Sequence, residues 1–271
     1  MKLSETSRKK AFFVHLIFSL SIFAVLSFLI VFVWYPSFYF YLDGGDRGLL
    51  TLFFVDVVLG PGLTLLVFKP GKKSLKFDIS VILLLQLAAL IWGIDSVYSE
   101  RSGGAVFYWG KIDCVSQSDT GSMDMDAILS GPSGTQKLAF LQRPENISEF
   151  HDFVGKAFLQ NSAEIYYYAK NIVPLDKENI TELDNYNIDI EALREKSPVY
   201  ADKVTAYMEQ HAGNTVAYKL IPVACRYKNA VAVVDLNQIK VVEILDVDIE
   251  LRAKDKHIFI SDNNMSKAEK L

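Results

Sequence analysis

The apolar positions of this 271-residue chain fall into two regimes that meet near residue 98. Before that point they run together in three long stretches, Phe12–Trp34, Leu49–Phe68 and Ile79–Val97. Each is about 20 residues long, which at 1.5 Å per residue covers the roughly 30 Å of hydrocarbon in a bilayer. Beyond residue 98 the apolar runs are short and broken by charges. The pattern predicts a membrane α-helical anchor of three transmembrane helices over residues 1–98. An extracytoplasmic α+β domain follows over 99–248, and 249–271 reads as a charged, loose tail.

Within the second regime, Ala105–Val115 is rich in β-type residues and reads as one strand. The Ser/Gly/Asp-rich run Gln117–Gly134 reads as a loop. Pro144–Gln160 predicts a helix, with Pro in the first turn and Ile147, Phe150, Phe153, Val154 and Phe158 at helical spacing. Ile165–Val173 fits a short strand or a helix, and Ile188–Ala212 one or two helices broken near Pro198 and closed by Gly213. Three apolar runs, Tyr218–Tyr227, Ala230–Leu236 and Lys240–Val247, are separated by Lys228-Asn229 and Asn237-Gln238, the spacing of a C-terminal antiparallel β-meander.

Charge then orients the anchor. Lys2, Arg8, Lys9 and Lys10 precede the first stretch, and Lys69, Lys72, Lys73 and Lys76 lie between the second and third. The segment Tyr35–Gly48 carries only Arg47, against Asp43 and Asp46. Short basic flanks stay in the cytoplasm, so the N-terminus and the Lys-rich loop are expected there. An odd number of spans sends Ser99–Leu271 to the other side. The first stretch ends in Trp34-Tyr35-Pro36 rather than small residues, which reads as a retained signal anchor and not a cleaved signal peptide. Residues 1–98 carry a net +3 against −4 for the whole chain, leaving −7 on 99–271. An acidic domain of that kind repels nucleic acid and anionic lipid.

Both cysteines, Cys114 and Cys225, lie in the exported part. In an oxidising compartment such a pair reads as a disulfide, here stapling the two ends of one sheet; two buried free thiols are the alternative. The lack of a CxxC motif or Cys/His cluster, with only four His in the chain, argues against a metal or cofactor site. No GxSxG, HExxH, Walker or GxGxxG motif is present, so no catalytic residue is assigned. His151, beside Glu149 and Asp152, reads as a solvated surface residue, and Asp124 and Asp126 as loop acids. Asn146-Ile147-Ser148 and Asn179-Ile180-Thr181 match the glycosylation acceptor by chance frequency.

Polar residues inside the stretches carry more information, since they are costly in lipid and turn towards other helices. Asp56 stands alone as a deep acid, followed by Gly60-Pro61-Gly62, where Pro61 predicts a kink. Counting residues from the outer ends places Ser27 level with Asp56, Gln86 level with Ser19, and His15 near Thr64. These positions fit hydrogen bonds that hold a three-helix bundle together; contact of Asp56 with an outside helix is the alternative. Trp34, Tyr35, Tyr39 and Tyr41 read as an aromatic belt.

Several short motifs occur in order across these stretches: Lys9-Lys10-Ala11-Phe12-Phe13-Val14-His15-Leu16, Val33-Trp34-Tyr35-Pro36, Asp43-Gly44-Gly45, Val55-Asp56-Val57-Val58-Leu59-Gly60-Pro61, Leu63-Thr64-Leu65, and Leu85-Gln86-Leu87-Ala88-Ala89-Leu90. Over these roughly 100 residues the chain resembles the type IV pilin accessory protein family of Gram-negative bacteria, of the TfpX/TfpZ type. The resemblance implies a multi-pass inner-membrane protein with a periplasmic domain that assists assembly or presentation of a specific major type IV pilin without catalysis or cofactor. It transfers no active-site residues; Asp56, Gly60, Pro61, Thr64 and Gln86 are carried over as members of the membrane motifs and candidate partner contacts. A pilin-modifying transferase and a membrane-bound periplasmic sensor are the competing classes.

Overall fold

A computed structural model describes residues 7–108, 110–117, 136–142, 146, 148, 171–186, 188–211 and 218–248. The chain divides into two compact units, Met1–Arg101 and Ser102–Leu271.

In the first unit, α1 (Arg8–Leu29) starts at Ser7, whose hydroxyl accepts from the Lys10 backbone N–H at 3.3 Å. It continues through a π-helical turn, Ile30–Trp34. After the short α2 (Tyr39–Leu42), the second run comprises α3 (Gly45–Leu52), a π-helical segment (Phe53–Leu59) and α4 (Gly60–Val67). The third is α5 (Leu75–Ser99). All three runs, of 27, 23 and 25 residues, are long and apolar enough to cross a membrane. Burial is inverted relative to a water-soluble bundle. Ser19, Asp56 and Thr64 are buried, while Phe18, Leu66 and Trp92 are exposed, as suits hydrocarbon surroundings.

Both ends of this bundle are tied. Near one end Arg8 Nε donates to the Phe68 carbonyl at 2.9 Å, and near the other the Tyr35 hydroxyl donates to the Val97 carbonyl at 3.1 Å. Small residues let the second and third runs approach closely. A Cβ at Gly48 would stand 2.9 Å from a Val97 methyl, and one at Gly93 the same distance from Leu52.

The second unit is built on a seven-stranded sheet of order β4-β3-β1-β2-β5-β6-β7. β1 (Ser102–Tyr108) and β2 (Lys111–Ser116) form an antiparallel hairpin; β3 (Leu138–Leu141) runs parallel to β1, and β4 (Ile172–Pro174) antiparallel to β3. β5 (Tyr218–Ala224), β6 (Asn229–Asp235) and β7 (Lys240–Leu245) make the expected antiparallel meander. The two halves join at the parallel β2–β5 pair through Ile112↔Val223 and Asp113↔Ala224. Two helices, α6 (Ile190–Lys196) and α7 (Pro198–His211), break at Ser197-Pro198 as the proline implies. Asp189 caps α6 by accepting from the Glu191 and Ala192 N–H groups, both at 3.0 Å. Leu193, Ala201 and Val204 from these helices share a core with Val231 of β6. The mixed sheet following three apolar helices is the fold class that the sequence predicts.

Two expectations need correction. Ala105–Val115 is not one strand but most of a hairpin, turned at Gly110 with φ of 82°. Residues of β type continue on both sides of that glycine, so composition hides the turn. A Cβ at Gly110 would also meet the Tyr186 ring. The disulfide expected between sheet ends joins instead the central strand β2 to the residue following β5. The loop over 118–134, most of the Pro144–Gln160 helix, Ile165–Val173 before Asn171, and the tail over 249–271 lie outside the described residues, with Asp124, Asp126, Glu149, His151 and Asp152.

On α7 the Tyr207 ring stacks on His211 with centroids 4.2 Å apart. Partial burial, together with the charge and hydrogen bond of Glu243, pushes the Tyr207 phenol up to about 12. A phenol raised above its unfolded value of about 10 stabilises the fold fully below that value and loses the contribution as pH climbs to the folded value. The second unit should therefore lose stability between about pH 10 and 12. Tyr207→Phe should flatten that part of a pH series of chemical unfolding.

Candidate functional site

The structure brings Asp56, Gly60, Thr64 and Gln86 from the second and third runs against His15 and Ser19 of α1. The backbone of the second run explains how. Pro61 has no N–H and its ring crowds the carbonyl four residues back. The helix answers with the π-helical segment Phe53–Leu59, which ends just before Gly60-Pro61. In an i→i+5 register the Asp56 carbonyl would look to residue 61, a proline with nothing to donate. The side chain of Gln86 on α5 supplies the missing donor, its Nε2 lying 3.1 Å from the Asp56 carbonyl oxygen.

The same amide donates to Asp56 Oδ1 at 2.5 Å and lies 3.4 Å from Ser19 Oγ. Ser19 in turn donates to Asp56 Oδ1 at 3.4 Å. One turn or so along, His15 Nδ1 and Thr64 Oγ1 are 2.7 Å apart. Asp56 is 3% exposed, so its carboxylate points into the bundle and not towards lipid. The second carboxylate oxygen, Oδ2, and Gln86 Oε1 are buried without a hydrogen-bond partner. Gly60 makes room for this packing: a Cβ there would overlap the Gln86 amide unless that side chain moved. Gly62 faces the other way, and a Cβ added to it would have nothing within 4 Å.

The pairings of Gln86 with Ser19 and of His15 with Thr64 are those expected from depth. Ser27 is not level with Asp56; its hydroxyl donates to the Phe23 carbonyl of its own helix at 2.7 Å. Hydropathy marks where the apolar run begins, at Leu49, whereas the helix starts at Gly45. Asp56 meets Ser19 instead, eight residues or about 12 Å along α1 from Ser27.

The aromatic group at the opposite end also divides. Tyr41 is exposed, but Tyr35 and Tyr39 are buried with Phe38 and Asp43. Burial and the neighbouring Asp43 carboxylate push the Tyr39 phenol well above its usual value. These residues cap the bundle rather than line a belt. Gly44, at φ of 97°, makes the turn that leads from Asp43 into α3.

In the second unit Cys114 and Cys225 form a disulfide, with Cα atoms 4.7 Å apart. Near it, at the β1–β2 hairpin, the buried Asp113 carboxylate accepts from the Tyr108 hydroxyl and from Lys111 Nζ, the latter at 2.9 Å. Among the described residues no group of three or more His, Cys, Asp or Glu could hold a metal ion.

A bundle of three apolar helices with an internal polar layer, leading to a mixed-sheet domain, defines a membrane protein. The chain belongs to the family of the fimbrial assembly proteins of Dichelobacter nodosus. It is 35% identical over 108 residues to the fimbrial assembly protein of serogroups C1 and C2, covering 39% of this chain and 82% of that one. The proteins of serogroup I and serogroup E1 are 36% and 33% identical over 108 residues, and the matched part spans 42% of the length of each. No family model and no solved structure matches the chain.

Proposed function

We propose that this protein is an accessory factor in type IV pilus assembly that holds a specific major pilin subunit in the inner membrane for assembly, without catalysis. Membership of the fimbrial assembly family, on a chain with three candidate spans, is the observation that carries this reading. The polar side chains Ser19, Asp56, Thr64 and Gln86 turn inward against one another and His15, which leaves an apolar exterior suited to meeting another helix in lipid. A partner anchored in the same membrane meets such a factor at high effective concentration, so weak contacts in and outside lipid combine into avidity. A transferase would need free carboxylates near the membrane surface, and of the two acids between the first and second spans Asp43 is buried.

The orientation is part of the proposal: N-terminus and Lys69–Lys76 loop in the cytoplasm, second unit in the periplasm. Reporter fusions after Tyr98 should be active only outside the cytoplasm, and fusions after Gly71 only inside; the reverse pattern overturns the topology. For the function itself, deletion of the gene should abolish surface pili of the cognate pilin while leaving pilin synthesis intact, and crosslinking in the membrane should capture pilin on this chain. Normal piliation of the deletion strain refutes the reading.

A further inference from the structure

We propose that Asp56, Gln86 and Ser19 form a binding site for one hard monovalent cation of the sodium class. Asp56 is buried at 3% exposure within a π-helical segment, a geometry that recurs at functional sites. Its Oδ1 is engaged by Gln86 and Ser19, while Oδ2 and Gln86 Oε1 have no hydrogen-bond partner. Two acceptor oxygens on touching side chains are thus left over in a bundle whose outside is apolar. Ser19 Oγ is 3.4 Å from both Asp56 Oδ1 and Gln86 Nε2 and supplies a third oxygen. The His15 imidazole neighbours Gln86 and Asp56, with the Thr64 hydroxyl beyond it.

Charge and donor type select the ligand. Ion pairs among the described residues include Lys72–Asp78, Lys111–Asp113 and Arg194–Asp202, and no Lys or Arg among them compensates Asp56. An uncompensated carboxylate in hydrocarbon is costly. Water would satisfy the two oxygens but leave the charge in place. A divalent ion would leave one positive charge in excess. A single positive charge neutralises the site, and all-oxygen donors favour a hard ion over a transition metal. The site is independent of the proposed role in pilus assembly.

Thermal unfolding of the full-length protein in detergent or nanodiscs tests it, in sodium, lithium, potassium and choline chloride at one pH and equal concentration. The unfolding midpoint should rise saturably with sodium and not with choline, which is too large to enter, and Asp56→Asn should remove the sodium effect. Equal midpoints in all salts, or a rise that is the same for all and linear in concentration, overturn the proposal. A sodium-specific rise that survives in Asp56→Asn overturns it as well. If Asp56→Asn does not accumulate, Ser19→Ala, which keeps the carboxylate and removes one donor oxygen, takes its place: the sodium effect should weaken, and a rise left unchanged overturns the proposal.

Discussion

Replacing Cys114 and Cys225 together by Ala will destabilise the second unit by about 4–5 kcal/mol on the chain-entropy account of disulfides. The bond closes a sequence separation of 111 residues, so the unfolded chain gains much freedom when it is lost. The position in the sheet sharpens the expectation. β2 and β5 are registered through Ile112↔Val223 and Asp113↔Ala224, and the disulfide adds the next rung at Cys114 and Cys225. That seam is the junction between the half made of β1–β4 and the meander β5–β7. Hydrogen exchange on the reduced protein should accordingly rise first at Val223 and Ala224 and last in β6, whose Val231–Val234 are fully buried. Uniform loss of protection across the sheet would show that the seam has no special weakness.

What the sequence disclosed followed from how local its signals are. The three spans, the meander and the break before Pro198 rest on hydropathy and on turn residues a few positions apart, and each is where the pattern puts it. The members of the polar layer were legible because lipid makes every polar residue conspicuous. Their partners were legible only where the depth count was sound, for His15 with Thr64 and Ser19 with Gln86, and not for Ser27. The π-helical register was hidden, since Pro61 announces a disturbance but not whether a helix bends or widens.

In the sheet domain one long-range side-chain contact left no local trace. Gln136, just ahead of β3, holds the backbone of Val241 on β7, its Nε2 donating to the carbonyl at 2.7 Å and its Oε1 accepting from the N–H at 2.8 Å. The two residues are 105 apart in sequence, and the preceding stretch reads only as a polar loop. The contact places a side-chain amide where another strand's peptide would stand on the sheet edge, which blunts that edge against pairing with other chains. Lys137 takes a left-handed conformation, φ of 47°, between this residue and β3.

Gly60→Ala will destabilise the membrane bundle by about 2–3 kcal/mol, and the cost will arise in the hydrogen bonds of Gln86 rather than in steric crowding itself. The new Cβ would overlap the Gln86 amide, but that amide is the free end of a flexible side chain and can swing aside. Swinging aside strips Asp56 of both donations, to Oδ1 and to the carbonyl that Pro61 leaves unanswered. Gly62→Ala, one position beyond the proline, should change stability by no more than about 0.5 kcal/mol, because nothing lies near its Cβ. The two substitutions are therefore matched in residue type and separated in mechanism. A double-mutant cycle isolates the cause: in a Gln86→Ala background there is no amide to displace, and Gly60→Ala should become almost silent, with a coupling of about 2–3 kcal/mol. Unfolding of the four proteins in mixed micelles supplies the numbers. If Gly60→Ala costs as much with Ala at position 86 as with Gln, the glycine serves backbone geometry before Pro61 and not the polar layer.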